Sequence, residues 1–135
     1  MRVTLDTNSL ISATFWYGDS FRIVSMAEDK KISLVLSEEI IKEFSSVLSY
    51  EEIKKKIQAK NLEIKRTVAK IATMSLIVKP KQKFDDCSDP KDNMVLDCAY
   101  EGKVDYMVTN DKHLLKLENF KGIRIVTPAE FLSLI

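Results

Sequence analysis

Short runs of β-branched and apolar residues recur along this chain, separated by longer stretches whose apolar residues return every three or four positions. The short runs are Arg2–Leu5, Ile32–Leu36, Leu76–Val78, Tyr106–Val108 and Ile123–Val126. Runs of that length, bounded by polar or turn-forming residues, predict buried strands. Helical spacing prevails between them. Thr7–Ser12 predicts a turn and a short helix, and Ser20–Asp29 a helix with Phe21, Ile23, Val24, Met26 and Ala27 on its apolar face. Ser37 is a natural N-cap for a helix whose stripe is Ile40, Ile41, Phe44, Val47 and Leu48. A charged helical stretch, Glu51–Lys60, and a further helix, about Leu62–Met74, follow.

Pro80 ends the third strand, and Gln82–Pro90 reads as a polar loop. Asp92 or a neighbour caps a helix that runs through Tyr100, and Lys112–Leu117 predicts a short helix. Thr127-Pro128-Ala129-Glu130 joins a capping box to a proline at the first helical position, which predicts a terminal helix. Strands alternating with helices imply an α/β fold: a central parallel sheet with helices on both faces, joined by right-handed connections. With no repeat and no composition break, one domain over residues 1–135 is expected. If the strand order is 3-2-1-4-5, the first and fourth strands flank the switch point, where such sheets bind ligands beyond the strands' carboxyl ends.

Composition narrows the classes. Apolar residues make up 45% and charged residues 30%, which excludes a disordered chain. No apolar run is long enough for a membrane span, and no signal-peptide pattern opens the chain, so a cytoplasmic protein without a membrane partner is expected. Two cysteines without CxxC spacing and one histidine argue against zinc. Cys98 is expected in the core and Cys87 as a free thiol in a loop. A net charge of +1 gives no global basic field for nucleic acid.

The candidate chemistry lies in acids at strand ends. Asp6 follows the first strand, and Asp111 follows the fourth in Asp105-Tyr-Met-Val-Thr-Asn-Asp111. Asp92 sits at the start of a helix that follows the third strand. Glu43 sits at the margin of an apolar helical stripe, which favours a reach toward a site over full solvation. Gathered at one sheet edge, such carboxylates suit a hard divalent cation, Mg2+ or Mn2+. Two carboxylates about 5 Å apart repel by roughly 3 kcal/mol at an effective dielectric of 20. The cluster therefore needs a cation, a proton or a basic neighbour, and without metal at least one pKa is expected to rise. A bound metal polarises a phosphoryl oxygen, lowers the pKa of bound water and aligns attack.

Each of these residues also has a plain structural reading. Asp6, Asp92 and Asp111 are all placed to cap helices. Asp89 is a candidate auxiliary ligand, though loop acids before proline are common. Asn8 could orient water or phosphate, and Thr109 could bond an acid or a metal-bound water; turn and strand-end roles are the alternatives. Asp97 reads as structural or solvated, His113 as a surface residue, and Asp85 and Asp86 as loop charges. Lysines 54–56 and 60 read mainly as a solvated helix face. Lys79, Lys81 and Lys83, after the third strand, are the better candidates for positioning phosphate. Phe15, Trp16 and Tyr17 could stack bases, be buried or make a dimer contact.

The segments Val3-Thr-Leu-Asp6-Thr-Asn8-Ser-Leu-Ile-Ser12, Leu36-Ser37-Glu-Glu-Ile-Ile-Lys-Glu43-Phe, Asp89-Pro-Lys-Asp92-Asn93 and Asp105-Tyr-Met-Val-Thr109-Asn-Asp111 resemble those of the PIN-domain nucleases. The resemblance is to the toxin-like branch of stand-alone prokaryotic PIN proteins. It implies a three-layer α/β/α fold and a Mg2+- or Mn2+-dependent endoribonuclease that cuts single-stranded RNA. The family's acidic positions fall on Asp6, Glu43, Asp92 and Asp111, its Ser/Thr position on Thr109, and the first acid's Asn partner on Asn8. It also implies an antitoxin protein as a possible partner, and a homodimer.

The leading reading is a metal-dependent ribonuclease. Asp6, Asp92 and Asp111 would hold the metal, and Glu43 a second metal or the attacking water. The alternative is a PIN-fold module that binds RNA or protein with little turnover. A phosphohydrolase with Asp6 as nucleophile ranks lower, because Asn8 stands where such enzymes carry a second acid.

Overall fold

Val3, Thr4 and Leu5 are all buried, as are Leu34 through Ser37, so these strands are covered on both faces. They belong to a six-stranded sheet in the computed structural model, which describes residues 1–135. The elements in chain order are β1 (Arg2–Leu5), α1 (Thr7–Phe15), α2 (Asp19–Glu28), β2 (Ser33–Ser37), α3 (Glu38–Leu48), α4 (Glu51–Ala59), α5 (Ile64–Met74) and β3 (Leu76–Val78). There follow α6 (Pro90–Glu101), β4 (Tyr106–Val108), α7 (Lys112–Leu115), β5 (Asn119–Phe120), β6 (Ile123–Val126) and α8 (Pro128–Leu134).

The sheet order is β3-β2-β1-β4-β6-β5. Every pairing is parallel except β5 with β6. The order expected from the pattern holds for the five parallel strands. The additional element is β5, a two-residue edge strand joined to β6 by Lys121 and Gly122, both at positive φ (53° and 84°). The helix expected over Thr7–Ser12 extends to Phe15, and the strand expected over Ile32–Leu36 is shifted by one residue to Ser33–Ser37.

Register decides where chemistry collects. Leu5 pairs with Val108, Val108 with Val126, and Ser37 with Val78, so the carboxyl ends of the parallel strands align along one edge. Helices pack on the sheet in a three-layer α/β/α arrangement, with α6 against β1 and β2, α2 against β2, and α8 against β4. One cluster of buried apolar side chains runs continuously from Val3 to Phe131. No helix is long and apolar enough to cross a membrane.

The loop from residue 79 to residue 89 is laid along α6. Glu101 accepts the N–H of Lys81 at 2.9 Å, Asp97 that of Phe84 at 2.7 Å, and Asn93 that of Cys87 at 2.8 Å. The acceptors stand four residues apart and so share one helical face. The Asn93 amide also donates to the Cys87 carbonyl at 2.7 Å.

Candidate active site

Asp6 and Thr109 each follow a strand end that is paired with the other, Leu5 with Val108. That register brings the two side chains together although 103 residues separate them, and the Thr109 hydroxyl donates to Asp6 Oδ2 at 2.5 Å. Asp6 Oδ1 accepts the N–H of Ser9 at 3.0 Å, capping α1. Asp6 is thereby buried and held at both oxygens. Thr109 Oγ1 in turn accepts the N–H of Asp111 at 2.9 Å, which positions the last acid. Asp111 Oδ1 caps α7, accepting the N–H groups of His113 at 2.8 Å and Leu114 at 3.4 Å.

The remaining acids come from α6 and α3. Asp89, not Asp92, is the N-cap of α6, and its Oδ1 accepts the N–H of Lys91 at 2.9 Å. Asp92 lies one turn in, buried on the cleft side. Glu43, half-buried, reaches in from the middle of α3. Asp6, Asn8, Glu43, Asp89, Asp92 and Asp111 line one cleft of about 90 Å3, with Thr7, Lys91 and Val95. A wider concavity of about 360 Å3 at the other end of α6 has Glu101 as its one acid.

The electrostatics of the cleft are one-sided. The ion pairs of the molecule involve Asp19, Glu28, Glu39, Glu63 and Asp97, and none involves an acid of the cleft. Asp92 shows the consequence. Burial pushes its carboxyl above the usual carboxylate range, the charges of Asp111, Asp89 and Asp6 push in the same direction, and His113 opposes them. Cys87, beside the cleft, is raised first by burial and then by Asp92, Asp86, Asp111 and Asp89. Its thiol is thus disfavoured as a nucleophile, since the thiolate is the reactive form. Cys98 is a core residue whose thiol burial pushes up to about 12.

Lys79, Lys81 and Lys83 are not brought into the cleft. The loop hydrogen bonds carry Lys81 to Glu101, about 13 Å along α6 from Asp92 at 1.5 Å per residue. The Lys83 ammonium lies 3.7 Å from Glu39 and 3.9 Å from Asp97. The base that does line the cleft is Lys91, in the first turn of α6. Sequence reasoning passed over it. The signal was available: a lysine between the two acids of Asp89-Pro-Lys-Asp92 cannot lie far from either.

A hard divalent cation fits the donor set, which consists of carboxylate and amide oxygens with no imidazole or thiolate on the cleft wall. No three acid, His or Cys side chains form a ready-made cage. Magnesium characteristically keeps several waters and takes one or two carboxylates, so a crowded but open carboxylate cleft meets its needs.

An α/β domain with a carboxylate cleft at the switch point of its parallel sheet is thus defined by geometry. The chain matches the PIN domain family over residues 2–113 and belongs to it. Its members are generally metal-dependent nucleases, typically with divalent ions such as Mg2+ or Mn2+. The matched span contains every acid of the cleft. The uncharacterized protein MJ1680 of Methanocaldococcus jannaschii is 29% identical over 142 aligned residues, covering 98% of this chain and 90% of that protein.

Proposed function

We propose that this chain is a metal-dependent endoribonuclease that cuts single-stranded RNA, working as one unit over residues 1–135. The observation that carries the reading is the cleft itself: five carboxylates (Asp6, Glu43, Asp89, Asp92 and Asp111) face one lysine, and none is neutralised by an ion pair. Bound Mg2+ or Mn2+ supplies charge neutralisation and activation of water toward the phosphodiester. Asp6, Asp92 and Asp111 are the residues that would hold it. Thr109 and the Ser9 N–H fix the Asp6 carboxylate so that it need not reorganise when the ion arrives. Glu43, which reaches the cleft from α3, would orient the attacking water or hold a second ion. Lys91 offers a positive charge to the scissile phosphate, and no side chain is required as a covalent nucleophile. The products would carry 5′-phosphate and 3′-hydroxyl ends.

The test is cleavage of single-stranded RNA by purified protein with manganese, with chelator, and by Asp6→Asn. The expected outcome is metal-dependent cutting, reduced at least a hundredfold by the substitution. Cutting that survives both chelation and Asp6→Asn would overturn the assignment. A second reading, a binding module with little turnover, draws on the absence of a ready-made ligand cage; RNA binding without metal-dependent cutting would favour it. Restraint by a partner protein that covers the cleft, in the manner of a toxin and its antitoxin, and assembly as a homodimer belong to the leading reading as further proposals.

A further inference from the structure

Two large aromatic side chains face water side by side in the turn between α1 and α2: Trp16 is 53% and Tyr17 84% exposed. Their hydrophobic surface goes unused by the fold, yet neither ring hangs free. Buried Phe15 meets Trp16 edge-on, with centroids 5.8 Å apart, and half-buried Phe21 meets Tyr17 edge-on at 4.9 Å. A lysine stands over each ring. Lys56 Nζ is 5.2 Å from the Trp16 centroid, and Lys60 Nζ is 5.6 Å from that of Tyr17. Lys60 is itself anchored, donating to the Phe15 carbonyl at 2.7 Å. None of Lys54, Lys55, Lys56 or Lys60 is in an ion pair, although Glu51 and Glu52 open the same helix.

With these neighbours in place more than half of Trp16 and most of Tyr17 still face solvent, so ring surface remains available beyond the ammonium contacts. A nucleobase has the flat surface to stack there, and its phosphate has the charge to meet the lysine. A duplex fits poorly, because its bases are already stacked on one another. We propose that Trp16 and Tyr17, with Lys56 and Lys60, form a stacking platform for single-stranded RNA, separate from the acidic cleft. The choice of ligand rests on the nuclease reading above; the geometry of the platform does not. Asn8, on the cleft wall, lies in the first turn of α1, and the platform lies at that helix's other end, about 12 Å along its axis. A strand held at both places would be cut a few nucleotides from the stacked bases.

Trp16 is the chain's one tryptophan, so its fluorescence reports on the platform alone. In chelator, where no cutting occurs, a single-stranded RNA oligonucleotide should quench it saturably. A duplex of the same sequence and inorganic polyphosphate, at equal phosphate concentration, should not. Trp16→Ala, followed by anisotropy of a labelled oligonucleotide, should weaken binding about tenfold, the order expected for one lost stacked base. Lys56→Ala should lower the salt slope by about one. Both side chains are exposed, and a thermal melt checks that each variant folds. An unquenched tryptophan, or equal quenching by duplex and polyphosphate, would overturn the platform. Self-association in sedimentation that Trp16→Ala abolishes would overturn it too, in favour of a contact between copies. Metal-dependent cutting without quenching defeats the platform alone, and quenching without cutting defeats the nuclease reading alone.

Discussion

Asp97 and Asp92 lie five residues apart on α6, both are buried, and both carboxyls are raised, yet their surroundings assign them different work. Burial is the largest cause at each. At Asp97 the N–H of Phe84 and the charge of Lys83 oppose it, while at Asp92 three further carboxylates add to it. Asp97 therefore reads as a clamp for the loop before α6. Because its folded pKa is raised, its contribution to stability is fully present below the ordinary value of 3.8 and is lost as pH rises through the folded value. Asp97→Asn stays neutral, and its Oδ1 still accepts from Phe84. It should be no less stable than the parent at pH 7 and should flatten the pH dependence above 3.8. Asp97→Ala, which strands the Phe84 N–H, should cost about 1 kcal/mol. Urea unfolding of both variants from pH 3 to 7 checks the pair; an Asn variant as damaged as the Ala variant would mean that the negative charge itself holds the loop.

At the scale of elements, α6 ties the site to the sheet. Its carboxyl end comes so close to β2 that a Cβ on Gly102 would lie 2.5 Å from Val35 Cγ1 and 3.2 Å from the Cys98 carbonyl. The φ of Gly102 is −77°, so the requirement is for space and not for a left-handed backbone. Gly102→Ala should destabilise by about 1–3 kcal/mol through overpacking, with thermal unfolding as the measurement. Val35→Ala in the same chain should recover part of the loss. A Gly102→Ala midpoint equal to the parent's would show that the helix end has room to move.

The sequence discloses α6 as a helix running through Tyr100 and the parallel strands as β-branched runs, but it leaves Asp89-Pro90 in the preceding loop, whereas Asp89 is the N-cap and Pro90 the first helical residue. It does not disclose β5, which has two residues and hence no period, and whose turn is Lys121-Gly122 in place of the commoner Asn-Gly. Nor does it disclose the path of residues 79–89. That path is set by Glu101, Asp97 and Asn93, acceptors 6 to 20 residues away in the chain, so Lys79–Lys83 looked near the cleft while Lys91 was the base that faced it. The convergence of Asp6 and Asp111 was legible because strand ends in a parallel sheet share an edge. The hydrogen-bond relay from Asp6 through Thr109 to Asp111 needed the β1–β4 register to be seen.

For the molecule as a whole, a net charge of +1 conceals a division. Unpaired acids crowd the cleft at the sheet's carboxyl edge, while unpaired lysines gather beside Trp16 and Tyr17. The neighbouring charges of Asp111, Asp89 and Asp6 disfavour the Asp92 carboxylate in the metal-free fold, and an ion that relieved this crowding would bind the native state in preference to the unfolded chain. Saturation at a hundred times the dissociation constant would add about 2.7 kcal/mol, which for a domain of this size is on the order of 10 °C in Tm. Asp92→Asn removes one of the crowded charges and should act in opposite directions in the two states. Its metal-free Tm should rise above the parent's, and the shift on adding manganese should largely vanish. Calorimetry of parent and variant, each with chelator and with excess manganese, resolves all four values. A variant less stable than the parent in chelator would mean that the Asp92 carboxylate supports the fold directly, and the cleft would then owe its acids to structure and not to an ion.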